Sequence, residues 1–110
     1  MDDLTELLKG VLEGCVLHIL ARRDSYGYEI VQLLNNYGFT SVAEGTVYPI
    51  LVRLERKDLV AVSRVASEAG PPRKVYTLKP AGHDALADFW QRWDFIATRL
   101  DTMRKETPDA

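Results

Sequence analysis

The stretch EGTVYPILVRLERKDLV, residues 44–60, has the apolar and charged spacing of an amphipathic helix, yet Pro49 stands inside it. A proline in a helix interior removes one hydrogen bond and presses its ring against the carbonyl four residues back. Here that residue is Gly45, whose backbone best rotates out of the way. Just upstream, Ser41 and Glu44 have capping-box spacing. The stretch reads as a helix bent in its first turns and continuing through Ile50, Leu51 and Leu54 to Lys57.

Upstream, apolar residues at 4, 7, 8, 11, 12, 15, 16, 19 and 20 form the stripe of a helix that buries one face, predicting one helix from Leu4 to Leu20. Asp24 or Ser25 can cap a second helix from about Tyr26 to Asn36, burying Ile30, Val31, Leu33 and Leu34. NNYGF ends it, with Gly38 available for a left-handed cap. Downstream the period changes to two. Leu59 to Val65 reads as a strand, ASEAGPPR as a turn and Lys74 to Leu78 as the returning strand, a hairpin whose proline-stiffened tip carries Arg73 and Lys74. Pro80 suits the first turn of a final helix reaching to about Lys105. Along it Leu86, Phe89, Trp93, Ile96, Leu100 and Met103 recur three and four apart, an a/d seam.

The chain has 110 residues, 46% hydrophobic and 27% charged, which fits one globular domain. A domain of this size buries a modest share of its surface and often gains stability by pairing with a second copy. The single cysteine, Cys15, excludes an intrachain disulfide and fits the cytoplasm. The oily run from Val11 to Ala21 is broken by Glu13 and His18, so it reads as neither signal peptide nor membrane span. Net charge is −2, but it is unevenly spread: −4 over residues 1–52, +4 over 53–79 and −2 from Pro80 onward. The basic segment begins inside the opening stretch and includes Arg53, Arg56, Lys57, Arg64, Arg73 and Lys74. No nucleophile with a base, carboxylate pair or glycine-rich phosphate loop points to an enzyme, and nothing calls for a cofactor.

The expected fold is mainly α with a small β-hairpin. Residues 1–79 make a winged helix-turn-helix, 80–105 one C-terminal dimerisation helix and 106–110 a disordered tail. In that fold a helix lies in the major groove of DNA and the wing touches backbone or minor groove. SYGYEI, EGTVYPILVRLERKDLV and GPPRKVYTLKPAG, in that order, resemble the signature stretches of the PadR family of bacterial transcriptional regulators. With a single helix after the wing, the chain is similar to the short PadR subfamily that includes multidrug-sensing LmrR-type members. The resemblance implies that Tyr26, Gly27 and Tyr28 lie against DNA phosphates. It implies that Gly45, Thr46, Tyr48 and Pro49 face the major groove, that Arg53 lies at the backbone, and that Arg73 and Lys74 reach the neighbouring groove. Lys79 stands where the family more often has a threonine able to cap the last helix. In LmrR-type relatives a tryptophan at the position of Trp93 stacks on flat ligands between subunits. One turn later such relatives tend to carry an acid where this chain has Ala97, so a preference for cations is not carried over.

Each reading has a plainer competitor. Arg53, Arg56 and Lys57 also suit a solvated helix face, and Tyr26, Tyr28 and Tyr48 suit half-buried packing with the hydroxyl outward. Two basic clusters on elements sharing one side favour DNA. Trp93 on the seam and Trp90 on its flank suit a core, and in a dimer the seam is a core. Facing Trp93 rings do not interdigitate, so with Phe89 and Trp90 they would wall a cleft for a planar aromatic effector. Cys15 and His18, with His83, could form a soft-metal site but better suit packing and surface, so no metal is expected. The leading function is a homodimeric regulator, a repressor gripping a palindromic double-stranded operator and released by a small planar aromatic ligand. The alternative is a winged-helix protein-interaction module without DNA binding, which would not need the basic wing.

Overall fold

The computed structural model describes residues 4–106, so the TPDA end of the expected tail lies outside the described residues. The elements run α1 (Thr5–Leu8), α2 (Leu12–Arg22), β1 (Ser25–Tyr26), α3 (Gly27–Asn36), α4 (Glu44–Arg56), β2 (Val60–Ser67), β3 (Gly70–Leu78) and α5 (Pro80–Lys105). The three strands form one antiparallel sheet in the order β1-β3-β2.

The single helix expected from Leu4 to Leu20 is in fact two. The chain turns at 9–11, where the Val11 N–H bonds the Leu8 carbonyl at 2.9 Å, a bond over three residues rather than four. Gly10 sits in the break, and glycine is a weak helix residue. Leu8 and Leu12 on either side are both buried, so the apolar stripe continues through a turn that the helix does not. Asp24 and Ser25 do not cap α3 either. Ser25 and Tyr26 pair in extended conformation with Tyr76 and Val75, and the Tyr26 N–H is accepted by the Glu29 carboxylate at 2.9 Å. Ser25 is buried, its hydroxyl donating to the Arg23 carbonyl at 3.1 Å.

The end of α3 is as the glycine predicts. Gly38 has φ 108°, and the N–H groups of Gly38 and Phe39 bond the carbonyls of Asn35 and Leu34 at 2.9 and 3.0 Å, a Schellman cap. The turn into α4 is then held by one side chain. The Asn35 amide donates to the carbonyls of Phe39 and Val42 at 2.8 and 3.0 Å. Val42 is drawn into the core, so α4 begins after Ala43, with no side-chain cap, rather than at Ser41. The helix runs unbroken through Pro49, and Gly45 is exposed with nothing near where its Cβ would stand. Packing therefore does not require the glycine.

At its far end α4 closes with a second Schellman cap. Leu59 and Asp58 N–H groups bond the Leu54 and Glu55 carbonyls at 3.0 Å, with Asp58 taking the left-handed position at φ 62°. Its carboxylate pairs with the Lys79 ammonium. Lys79, at the N-cap of α5, gives that helix no side-chain cap, but its carbonyl accepts from Gly82 and His83 at 2.8 and 3.0 Å.

The hairpin tip is shorter than expected. Ser67 pairs with Gly70, leaving only Glu68 and Ala69 between the strands, with an irregularity between Val65 and Ser67. Pro71 and Pro72 thus lie within β3, and Arg73 and Lys74 lie along the strand opposite Val65 and Arg64 rather than at the tip. β1 pairs with β3 only at Val75 and Tyr76, so beyond them one edge of β3 is open and tolerates prolines.

One core joins these elements. Val16 from α2, Ile30 and Leu34 from α3, Val47, Leu51 and Leu54 from α4 and Val60 from β2 are all within 2% of full burial. Replacing Asn35 by alanine strips two carbonyls of their donor while leaving this core intact. It should lower unfolding free energy by about 2 kcal/mol in denaturant titration, with an unchanged dependence on denaturant concentration.

Candidate nucleic-acid interface

The sheet lays the outer half of the hairpin beside the beginnings of α3 and α4. Between them is a groove of about 570 Å³ with Tyr26, Gly27, Tyr28 and Tyr48 on one wall and Pro71, Pro72, Arg73 and Lys74 on the other. The first wall depends on a close approach. A Cβ on Gly27 would stand 2.8 Å from the Tyr48 ring, so only glycine lets that ring cross the start of α3. On the second wall the Arg73 guanidinium lies 5.4 Å from the centre of the Tyr26 ring, a cation–π contact between wing and helix start. The Tyr28 hydroxyl accepts from the Gln32 amide at 3.2 Å. Tyr76 lies buried behind this wall. Its phenol is raised above the ordinary value, first by burial and then by the proximity of Tyr48 and Glu55.

Six of the residues singled out in the sequence therefore line one groove: Tyr26, Gly27, Tyr28, Tyr48, Arg73 and Lys74. Gly45, Thr46 and Pro49 are exposed on the first turns of α4, outside the groove lining. Arg53 is directed elsewhere, its guanidinium 3.4 Å from the Glu13 carboxylate of α2, which also takes Lys57 at 3.1 Å. No sequence signal pointed to Glu13, because it lies forty residues from Arg53.

The stripe on α5 divides. Leu86 packs against the chain's own core, and Phe89 is half-buried against α2, where only a glycine at position 14 leaves room for its ring. The Phe89 and Trp90 rings meet edge-on at 5.0 Å, and Trp90 meets His18 at 5.9 Å. Beyond them Trp93, Ile96, Leu100 and Met103 are 42%, 50%, 57% and 64% exposed. Phe95, outside the seam, is exposed too, with Arg99 3.3 Å above its ring. Cys15 is half-buried, and burial pushes its thiol up. Among the described residues no group of three or more His, Cys, Asp and Glu is placed to hold a metal ion, and no helix is long and apolar enough to cross a membrane.

Comparison with known proteins agrees with this architecture. Residues 16–88 match the transcriptional regulator PadR-like family. A PadR-like transcriptional regulator from Bacillus cereus is 39% identical, with a TM-score of 0.83 over 94% of this chain and 100% of that one. A Streptococcus transcriptional regulator is 40% identical, with a TM-score of 0.81 over 92% and 99%. A transcriptional regulator of Mycobacterium tuberculosis is 38% identical over 85 residues, 77% of this chain and 78% of the relative. These relatives are named as regulators rather than enzymes, and the two solved structures share the fold over more than nine-tenths of this chain. On the family match and these likenesses, the chain belongs to the PadR-like family of transcriptional regulators, with a winged-helix fold.

Proposed function

We propose that the chain is a cytoplasmic, homodimeric repressor of the LmrR-like kind that binds a palindromic operator and is released by a small planar aromatic effector. The observation that carries the DNA-binding part is the groove itself, where three tyrosines and the start of two helices face two wing cations. Helix N-termini and cations are both phosphate-seeking. Thr46, Tyr48 and Pro49 lie on the first turns of α4, the part of a recognition helix that meets base edges. Gly45 beside them serves no packing need, which suits a close approach by a partner's backbone. Arg53 joins the contact only by leaving Glu13, so it contributes less than Arg73 and Lys74.

Support for pairing comes from α5. Four large apolar residues in one line, Trp93, Ile96, Leu100 and Met103, stand uncovered in a single chain. Monomers seldom leave so continuous a stripe in water, and a second copy of the same helix covers it with like residues. Leu86 and Phe89 then form the inner end of the seam, tying it to α2. The effector is placed between the paired Trp93 rings, with Phe89 and Trp90 beside them.

Three outcomes are expected. Solution mass should correspond to a dimer at micromolar concentration, and Ile96→Glu with Leu100→Glu should give a monomer. A wild-type monomer would remove the seam's role. In DNA selection experiments Thr46→Ala or Tyr48→Ala should change which sequence is preferred. Arg73→Ala should instead weaken all sequences alike. The selected site should be an inverted repeat with half-sites about one helical turn apart, or a multiple of it. Planar aromatic compounds should quench tryptophan fluorescence and release operator in the wild type, and do neither in Trp93→Ala. Equal release in the variant would place the sensor elsewhere.

A further inference from the structure

Charge pairing differs between the wing and the rest of the molecule. Of the fourteen lysines and arginines, eight have a carboxylate partner. The three on the wing, Arg64, Arg73 and Lys74, have none among the described residues. Arg73 is stacked on Tyr26, and Lys74 lines the groove. Arg64 has neither role, and it lies directly opposite Lys74 in the strand register. Both side chains are exposed.

Two like charges directly opposite on neighbouring strands destabilise the pair that carries them. Alternation along the strands puts Arg64 and Lys74 on the same sheet face as Val62 and Tyr76, the face that turns inward beside Tyr48. The fold thus holds two cations side by side at the groove's rim, neither of them in an ion pair among the described residues. Glu68, the acid of the hairpin, sits at the tip among exposed residues and makes no ion pair among the described residues. Anionic groups brought from outside would relieve the repulsion between them.

We propose that Arg64 is a third DNA-contacting cation of the wing, which meets a backbone phosphate next to the one that Lys74 meets at the rim of the groove. This rests on the DNA-binding reading above and adds a residue that reading lacks. The contact is to phosphate, so it carries no sequence preference and is visible on any duplex.

The test measures the salt dependence of binding to a random-sequence DNA duplex. Losing one phosphate contact lowers the slope of log affinity against log salt by about 0.9, which is about eightfold in affinity at 0.1 M salt if the contact's effect vanishes near 1 M. Arg64→Gln should show that loss, Lys74→Ala a similar one, and Arg64→Lys should keep the wild-type slope. The melting temperature of Arg64→Gln should be unchanged or slightly higher, because the like-charge pair is gone. Arg64→Gln with the wild-type slope, beside a reduced slope in Lys74→Ala, would overturn the proposal. Equal losses in Arg64→Gln and Arg64→Lys would also overturn it, since charge would then not be the cause. A wild type that binds no duplex even at low salt would overturn the DNA-binding reading, and this proposal with it.

Discussion

The architecture depends on a pairing two residues long. Ser25 and Tyr26 leave the end of α2 extended, add a third strand to the hairpin at Tyr76 and Val75, and then enter α3 directly. A single tyrosine is therefore the edge of the sheet, the residue before a helix and the platform under Arg73. Without that pairing the hairpin would be joined to the helices only through its base, and its outer half could swing. With it, the two walls of the groove belong to one rigid unit. Burial of Ser25 is the local cost, offset by its hydrogen bond to the Arg23 carbonyl.

The parts of this arrangement that were legible in the sequence are those with a long period or a special residue. α5 begins at Pro80 and ends at Lys105 as its proline and its three-and-four spacing predict, and Gly38 takes the left-handed turn expected of it. β1 was not legible because two residues have no periodicity. The break at 9–11 was hidden because Leu8 and Leu12 remain buried on one side of it, and burial is what an apolar stripe reports. Asn35 looked like any polar residue near a helix end. Its role depends on where the next seven residues go, which local sequence does not state.

The site was legible in the same uneven way. Tyr26, Tyr28, Tyr48, Arg73 and Lys74 come to one groove from motifs far apart in the chain. Arg64 could be counted in the basic segment but not placed. Strand ends at Val65 and Lys74 set those two residues opposite each other, whereas the real register sets Arg64 opposite Lys74. The difference is one residue, absorbed by the irregularity near Ala66 and the tight turn at Glu68 and Ala69. A shift of one residue moves every side chain to the other face of a strand. The chemistry of the wing is thus decided by a turn, not by the charged residues themselves.

The last helix shows how a distant event could reach that groove. α5 starts hard against the hairpin's base, where a Cβ on Gly82 would run into Leu78 and the Leu59 carbonyl, and its Phe89 lies across α2 at Gly14. Both contacts fall in its first ten residues, and glycine at each lets a neighbour approach without a cushioning side chain. Beyond Trp90, which still meets His18 of α2, the turns are largely exposed, in a helix about 39 Å long at 1.5 Å per residue. If the clamped end holds, tilting the free end would turn the wing and α4 together. In the proposed dimer, the proposed effector between the Trp93 rings would alter that tilt. It shifts DNA binding only to the extent that it favours one tilt over the other, because equal affinity for both would leave the equilibrium where it was.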